Sequence, residues 1–139
     1  TWLLHFGAVD WRAEVWLDGR ALGSHEGGFE PFSFDVGVLG ADHELVVAAW
    51  DPTDAGPQPR GKQANAAPLL LRPVFYTPAS GIWQSVWLEL VPVTHVASLR
   101  LTPRGDALHV CAAVAGARGG ERLRVAAVVE GERFCLAEG

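Results

Sequence analysis

The 139 residues include no methionine, one tyrosine, two cysteines and a single asparagine. The chain opens at Thr1 and runs at once into Trp2-Leu3-Leu4-His5-Phe6, which already reads as a strand. With methionine absent throughout, the expectation is a piece cut from a longer protein. Cys111 and Cys135 allow at most one disulfide, and they read at least as well as half-buried free thiols in neighbouring strands. No apolar run approaches the length that crosses a bilayer, and no charged-then-apolar leader opens the chain, so it reads as soluble. Basic residues are outnumbered, 11 against 16 acidic, for a formal net charge of −5. That balance offers no footprint for nucleic acid or an anionic membrane, and neither is expected as a partner.

Several chemistries are missing as motifs. His5, His25, His43, His95 and His109 show no metal-ligand spacing, so no metal is expected. There is no Gly-x-Ser-x-Gly and no phosphate-cradling glycine loop, and no cofactor is expected. What the chain does have is an apolar fraction of 49%, enough for a core, punctuated by 16 glycines and 9 prolines. Such punctuation disfavours long helices and points to an all-β class.

Residues 2–9 and 11–17 read as strands, the second with Ala13, Val15 and Leu17 on one face and Arg12, Glu14 and Trp16 on the other. Asp18-Gly19 supplies the two central residues of a type I′ hairpin, because glycine takes positive φ freely and aspartate tolerates it. Residues 20–25 form the returning strand. After the Gly27-Gly28 turn, Phe32, Phe34 and Val36 share the core face of another strand, and Glu26 beside those glycines reads as a brace rather than a catalytic acid. Asp10 reads as structural. Residues 43–50, apolar on both faces, are expected to form a central strand covered on both sides by another layer or a neighbouring domain.

That strand breaks abruptly at Asp51-Pro52-Thr53-Asp54, and a segment with no clear period continues through Asn65, Pro68 and Arg72-Pro73. A connection this long in a compact domain is usually functional or disordered. Its Asp51, Asp54, Arg60, Lys62 and Gln63 carry two readings. They make up the rim of a substrate pocket or a docking surface, since carboxylates, amides and guanidinium suit sugar hydroxyls. Alternatively the two aspartates make Asx-type bonds to nearby backbone amides in a structural crossover. Residues 82–90 follow as a strand with Ile82, Val86, Leu88 and Leu90 inward, and Trp83, Trp87 and Glu89 on the second face. Those indoles read as a stacking platform or as rings buried against another layer, and Trp83 is expected against a neighbouring domain.

Composition changes near residue 92. All six tryptophans precede it, with 5 basic against 11 acidic residues; residues 93–139 hold 6 basic and 5 acidic. Four strands are expected there, over residues 96–102, 107–115, 122–130 and 133–137, as a β-meander of the immunoglobulin-like kind that is short of a full sandwich.

The blocks Leu4-His5-Phe6-Gly7-Ala8-Val9-Asp10-Trp11, Val15-Trp16-Leu17-Asp18-Gly19, His25-Glu26-Gly27-Gly28-Phe29-Glu30-Pro31-Phe32-Ser33-Phe34-Asp35-Val36 and Tyr76-Thr77-Pro78-Ala79-Ser80-Gly81-Ile82-Trp83-Gln84-Ser85-Val86-Trp87-Leu88-Glu89 resemble the family 2 glycoside hydrolases, the β-galactosidase and β-glucuronidase group. The resemblance implies a jelly-roll sugar-binding domain over residues 1–92, lacking its first strands, and an incomplete immunoglobulin-like β-sandwich over 93–139. It implies carbohydrate as the ligand of a parent enzyme and a catalytic TIM barrel of the same parent chain as the neighbour. The barrel's acid/base glutamate follows an asparagine in that family; here Asn65 precedes Ala66, so neither catalytic glutamate is expected in this chain. Retaining hydrolysis needs two carboxylates roughly 5–5.5 Å apart on rigid elements, which nothing in the spacing of Asp51 and Asp54 enforces. The expected function is a non-catalytic fragment of a retaining β-glycoside hydrolase, with a free-standing carbohydrate-binding jelly-roll module as the competing reading.

Overall fold

The computed structural model describes residues 1–65 and 74–138. Pro68, Arg72 and Pro73 of the long connection lie outside the described residues. All regular structure among the described residues is β, and the chain divides into two compact units, Thr1–Val91 and Pro92–Gly139.

The first unit holds β1 (Trp2–Phe6), β2 (Val9–Asp10), β3 (Arg12–Leu17), β4 (Arg20–Glu26), β5 (Phe32–Gly37), β6 (Leu45–Trp50), β7 (Gly81–Ile82) and β8 (Val86–Leu90). Two three-stranded antiparallel sheets form, in the orders β5-β1-β8 and β4-β3-β6, and β2 pairs with β7 beside them. The middle strand of each sheet supplies the core: Leu4 and Phe6 from β1, Ala13 and Val15 from β3, joined by Val9 and Val36. The alternation read along β3 and β5 is the observed one, since Ala13, Val15 and Val36 are buried while Arg12, Ser33 and Asp35 are exposed. Two sheets sharing one core cluster is the arrangement of a β-sandwich. Phe6 and Val15 are fully buried, each contributing about 1.5–3 kcal/mol relative to exposure.

The turn chemistry is as the residues dictate. Asp18 and Gly19 both take positive φ, 50° and 74°, and Leu17 pairs with Arg20 across them. That dihedral pair is a type I′ turn, whose twist matches the right-handed twist of its strands. The Asp10–Trp11 peptide is cis.

Two expectations fail. The strand expected at the centre of a sheet, β6, lies at an edge, with Leu45, Val46 and Trp50 exposed and Val47 alone packed on the core. The strand expected over residues 82–90 is split in two, and its inward set is exposed, from Val86 at 36% to Leu90 at 64%. β8 is likewise an edge strand. For β6 the cause is that side chains apolar on both faces read the same in sequence whether or not the chain itself supplies the covering layer.

The second unit contains β9 (His95–Arg104), β10 (Ala107–Ala115), β11 (Arg124–Val129) and β12 (Glu132–Glu138). The four strands fall where the sequence placed them, but as two separate hairpins, β9 with β10 and β11 with β12, rather than as one meander. No described residue of this unit is buried, so each hairpin rests on its own ladder and cross-strand pairs. Cys111 and Cys135, on β10 and β12, are free, but they are exposed rather than half-buried and lie on different hairpins rather than on neighbouring strands.

Candidate functional site

The site is built around Asp10. The short β2 places it opposite Gly81 of β7, which brings the start of the chain beside the segment that leads into β8. Gly28 passes so close that a methyl group there would sit 2.8 Å from the Asp10 carboxylate, so the turn at 27–28 closes over Asp10 only because it lacks a side chain.

From the long connection comes Gln63. A parallel bridge to Tyr76 pins its backbone, with Tyr76 N–H donating to the Lys62 carbonyl at 2.9 Å and Ala64 N–H to the Tyr76 carbonyl at 3.2 Å. The side-chain Oε1 of Gln63 accepts from Ala79 N–H at 2.5 Å, which leaves the amide nitrogen to face Asp10 as donor. Asp51 stands nearby. One of its oxygens accepts from Thr53 N–H at 2.8 Å, an Asx turn, and the other from the Ser80 hydroxyl at 3.0 Å.

Burial pushes the Asp10 carboxyl above the usual carboxylate range, the Asp51 charge pushes it further, and the Gln63 amide partly offsets both. Trp83 completes the wall. Its indole N–H donates to the Gly28 carbonyl at 2.7 Å, which fixes the ring, and Phe29 meets it edge-on at a centroid distance of 5.9 Å. Asp10, Gln63, Phe29, Trp83 and Tyr76 line an open cavity of about 350 Å³, with Asp51 behind its wall at Ser80.

Three of the residues singled out from sequence, Asp51, Gln63 and Trp83, therefore gather around Asp10. The other three do not. Asp54 accepts from the backbone and side chain of Asn65 at 2.9 and 2.7 Å, bonds that hold its carboxyl below the usual range, and it sits 3.8 Å from the Arg60 guanidinium. Arg60 and Lys62 are exposed and line no part of this cavity. Trp83 is 53% exposed, whereas Trp87 stacks on His5 at 4.8 Å and is engaged within its own sheet.

From the sequence alone Asp10 reads as structural. The available signal was a carboxylate between Val9 and Trp11 in a strand, a position where charge is costly without a reason. Glu26 does brace its neighbour, at 4.0 Å from the Arg12 guanidinium. Among the described residues no group of three or more His, Cys, Asp or Glu is placed to hold a metal ion.

No protein-family profile matches the chain. It is similar to a β-galactosidase of Thermoanaerobacter pseudethanolicus, 28% identical over 95 residues that cover 67% of this chain and 12% of that protein. It is also similar to a protein of Formosa agariphila provisionally named a β-glucuronidase, 27% identical over 101 residues, covering 71% of this chain and 11% of that protein. The chain thus spans about a tenth of the length of the curated relatives it matches, and its sequence likeness is to glycosidases.

Proposed function

We propose that this chain is a non-catalytic part of a retaining β-glycoside hydrolase of family 2, in which residues 1–92 form the jelly-roll domain beside the catalytic barrel and residues 93–139 belong to an immunoglobulin-like sandwich. One observation carries the reading. The Asp10 cavity draws its walls from three of the four blocks that carry the resemblance, Asp10 from the first, Phe29 from the third, Tyr76 and Trp83 from the last, so the resembling residues converge on one ligand-sized space. The chemistry of that space is supporting chemistry. Both oxygens of Asp51 are engaged by Thr53 and Ser80, and Asp54 is tied to Asn65, so neither is poised as a nucleophile. In this reading Asp10, Asp51, Gln63 and Trp83 form a rim for substrate or for the barrel, and Asp54, Arg60 and Lys62 belong to the outer face of the same loop.

Assay of the purified chain against nitrophenyl β-galactoside and β-glucuronide is expected to release no chromogen. Release that disappears in Asp51→Asn or Asp54→Asn would overturn the proposal. The exposed rings of Phe29, Tyr76 and Trp83 around the cavity favour a second reading, a free-standing carbohydrate-binding module. Calorimetric titration with galactose and glucuronic acid separates the two, since a module binds sugar with no barrel present.

A further inference from the structure

The Asp10 cavity has an unusual balance of polar capacity. Of the side-chain donors around it, the Trp83 N–H is engaged with the Gly28 carbonyl, the Ser80 hydroxyl with Asp51, and the Gln63 amide faces Asp10 with one of its two N–H groups. Apart from the second Gln63 N–H and the rotatable hydroxyls of Tyr76 and Thr77, the side-chain capacity that remains is acceptor capacity, chiefly the carboxylate of Asp10. Among the described residues no lysine or arginine lines the cavity, and neither Asp10 nor Asp51 has a basic side chain within ion-pair distance. The remaining wall is aromatic, and the Trp83 indole is held in place by its own hydrogen bond and by Phe29.

We propose that this cavity receives an organic cation, an ammonium or guanidinium group, with Asp10 as counter-ion and the rings of Phe29, Tyr76 and Trp83 as walls. Such groups donate and do not accept, so they match a space with acceptors to spare; a neutral sugar hydroxyl brings an acceptor that finds few donors. Aromatic faces attract cations through the ring quadrupole, and the attraction strengthens as the site loses water. A carboxylate held partly out of water beside a second carboxylate gains most from a positive partner. The inference rests on the reading above, because it keeps this cavity as the place where the chain meets substrate or a neighbouring domain and names the chemistry that enters it. An amino sugar and an arginine or lysine side chain of a neighbouring domain carry the same group.

Calorimetric titration of the 139-residue chain with ethylguanidinium chloride, D-glucosamine hydrochloride and D-glucose at neutral pH tests it. Saturable binding of at least one cation is expected, with glucose weaker by roughly tenfold, a difference of about 1.4 kcal/mol, and with a similar loss for the cation in Asp10→Asn. A response to ethylguanidinium alone identifies a side-chain source, and one to glucosamine alone an amino sugar; both uphold the proposal. Asp51→Asn, which removes the second charge and leaves Asp10, is expected to weaken cation binding measurably and serves if Asp10→Asn does not fold. Equal binding of glucose and glucosamine, unchanged in either variant, overturns the cation while leaving the carbohydrate reading in place. No binding of either cation overturns it outright, and neither result bears on whether the chain releases chromogen.

Discussion

His43 donates its Nδ1–H to the Asp18 carboxylate at 2.6 Å, while its Nε2 accepts from Gly40 N–H at 2.8 Å. In accepting the Gly40 bond Nε2 leaves Nδ1 as the ring atom that donates to Asp18. The ring clamps the β3–β4 turn to the segment that leads into β6, and Glu44 N–H adds a second donor to Asp18 at 2.9 Å.

The His43 bond, followed by the Glu44 backbone bond, holds the Asp18 carboxyl below its ordinary value. A depressed acid contributes stability that is present above its unfolded value and lost as pH falls through the folded one. Replacing His43 by phenylalanine is therefore expected to raise the Asp18 titration midpoint, read by carboxyl NMR. The gap in thermal midpoint between wild type and variant should narrow on acidification below the usual carboxylate range.

Asp10 has the opposite sign. Its carboxyl is raised, by burial first and by Asp51 second, so the folded chain takes up its proton before the unfolded one does. At neutral pH the charge opposes folding, and that penalty fades as pH falls from the raised value to the ordinary one. Asp10→Asn is expected to raise the thermal midpoint at neutral pH, with the gain shrinking over that interval.

Phe6 is fully buried and stacks on Phe32 at 4.8 Å, whereas Phe134 is 49% exposed. Phe6→Ala is expected to cost about 3–5 kcal/mol in urea unfolding, by loss of burial and the cavity it leaves. Phe134→Ala should fall within about 0.5 kcal/mol of wild type, as surface changes do.

The edges formed by β6 and β8 expose Val46, Leu88 and Leu90 beside unpaired backbone groups. Such edges recruit other strands, and lysine blunts them. Val46→Lys with Leu88→Lys is expected to lower concentration-dependent association of the chain, measured by light scattering, with little change in the circular dichroism spectrum.

Cys111 and Cys135 are free and exposed on two different hairpins. Both are expected to react with a chromogenic disulfide reagent without denaturant, giving two equivalents per chain. A reductant should leave the unfolding midpoint unchanged.

Much of the fold was legible because its determinants are local. Alternation assigned the faces of β3 and β5, and Asp18-Gly19 specified a type I′ turn because its two residues tolerate positive φ. The strands of the second unit fell between their glycine turns for the same reason. At the site, polar loop residues and an indole marked out Asp51, Gln63 and Trp83 while leaving Asp54, Arg60 and Lys62 undistinguished from them.

Tertiary structure alone decided which of those residues meet. Asp10 reaches Gln63 and Trp83 through a two-residue ladder, Val9 to Ile82 and Asp10 to Gly81, and through the bridge from Gln63 to Tyr76. Pairings across so many residues leave no local periodicity, because register depends on which strands lie side by side. The same holds for β6 and β8. Their composition made them apolar, and only their position at the sheet edge made them exposed.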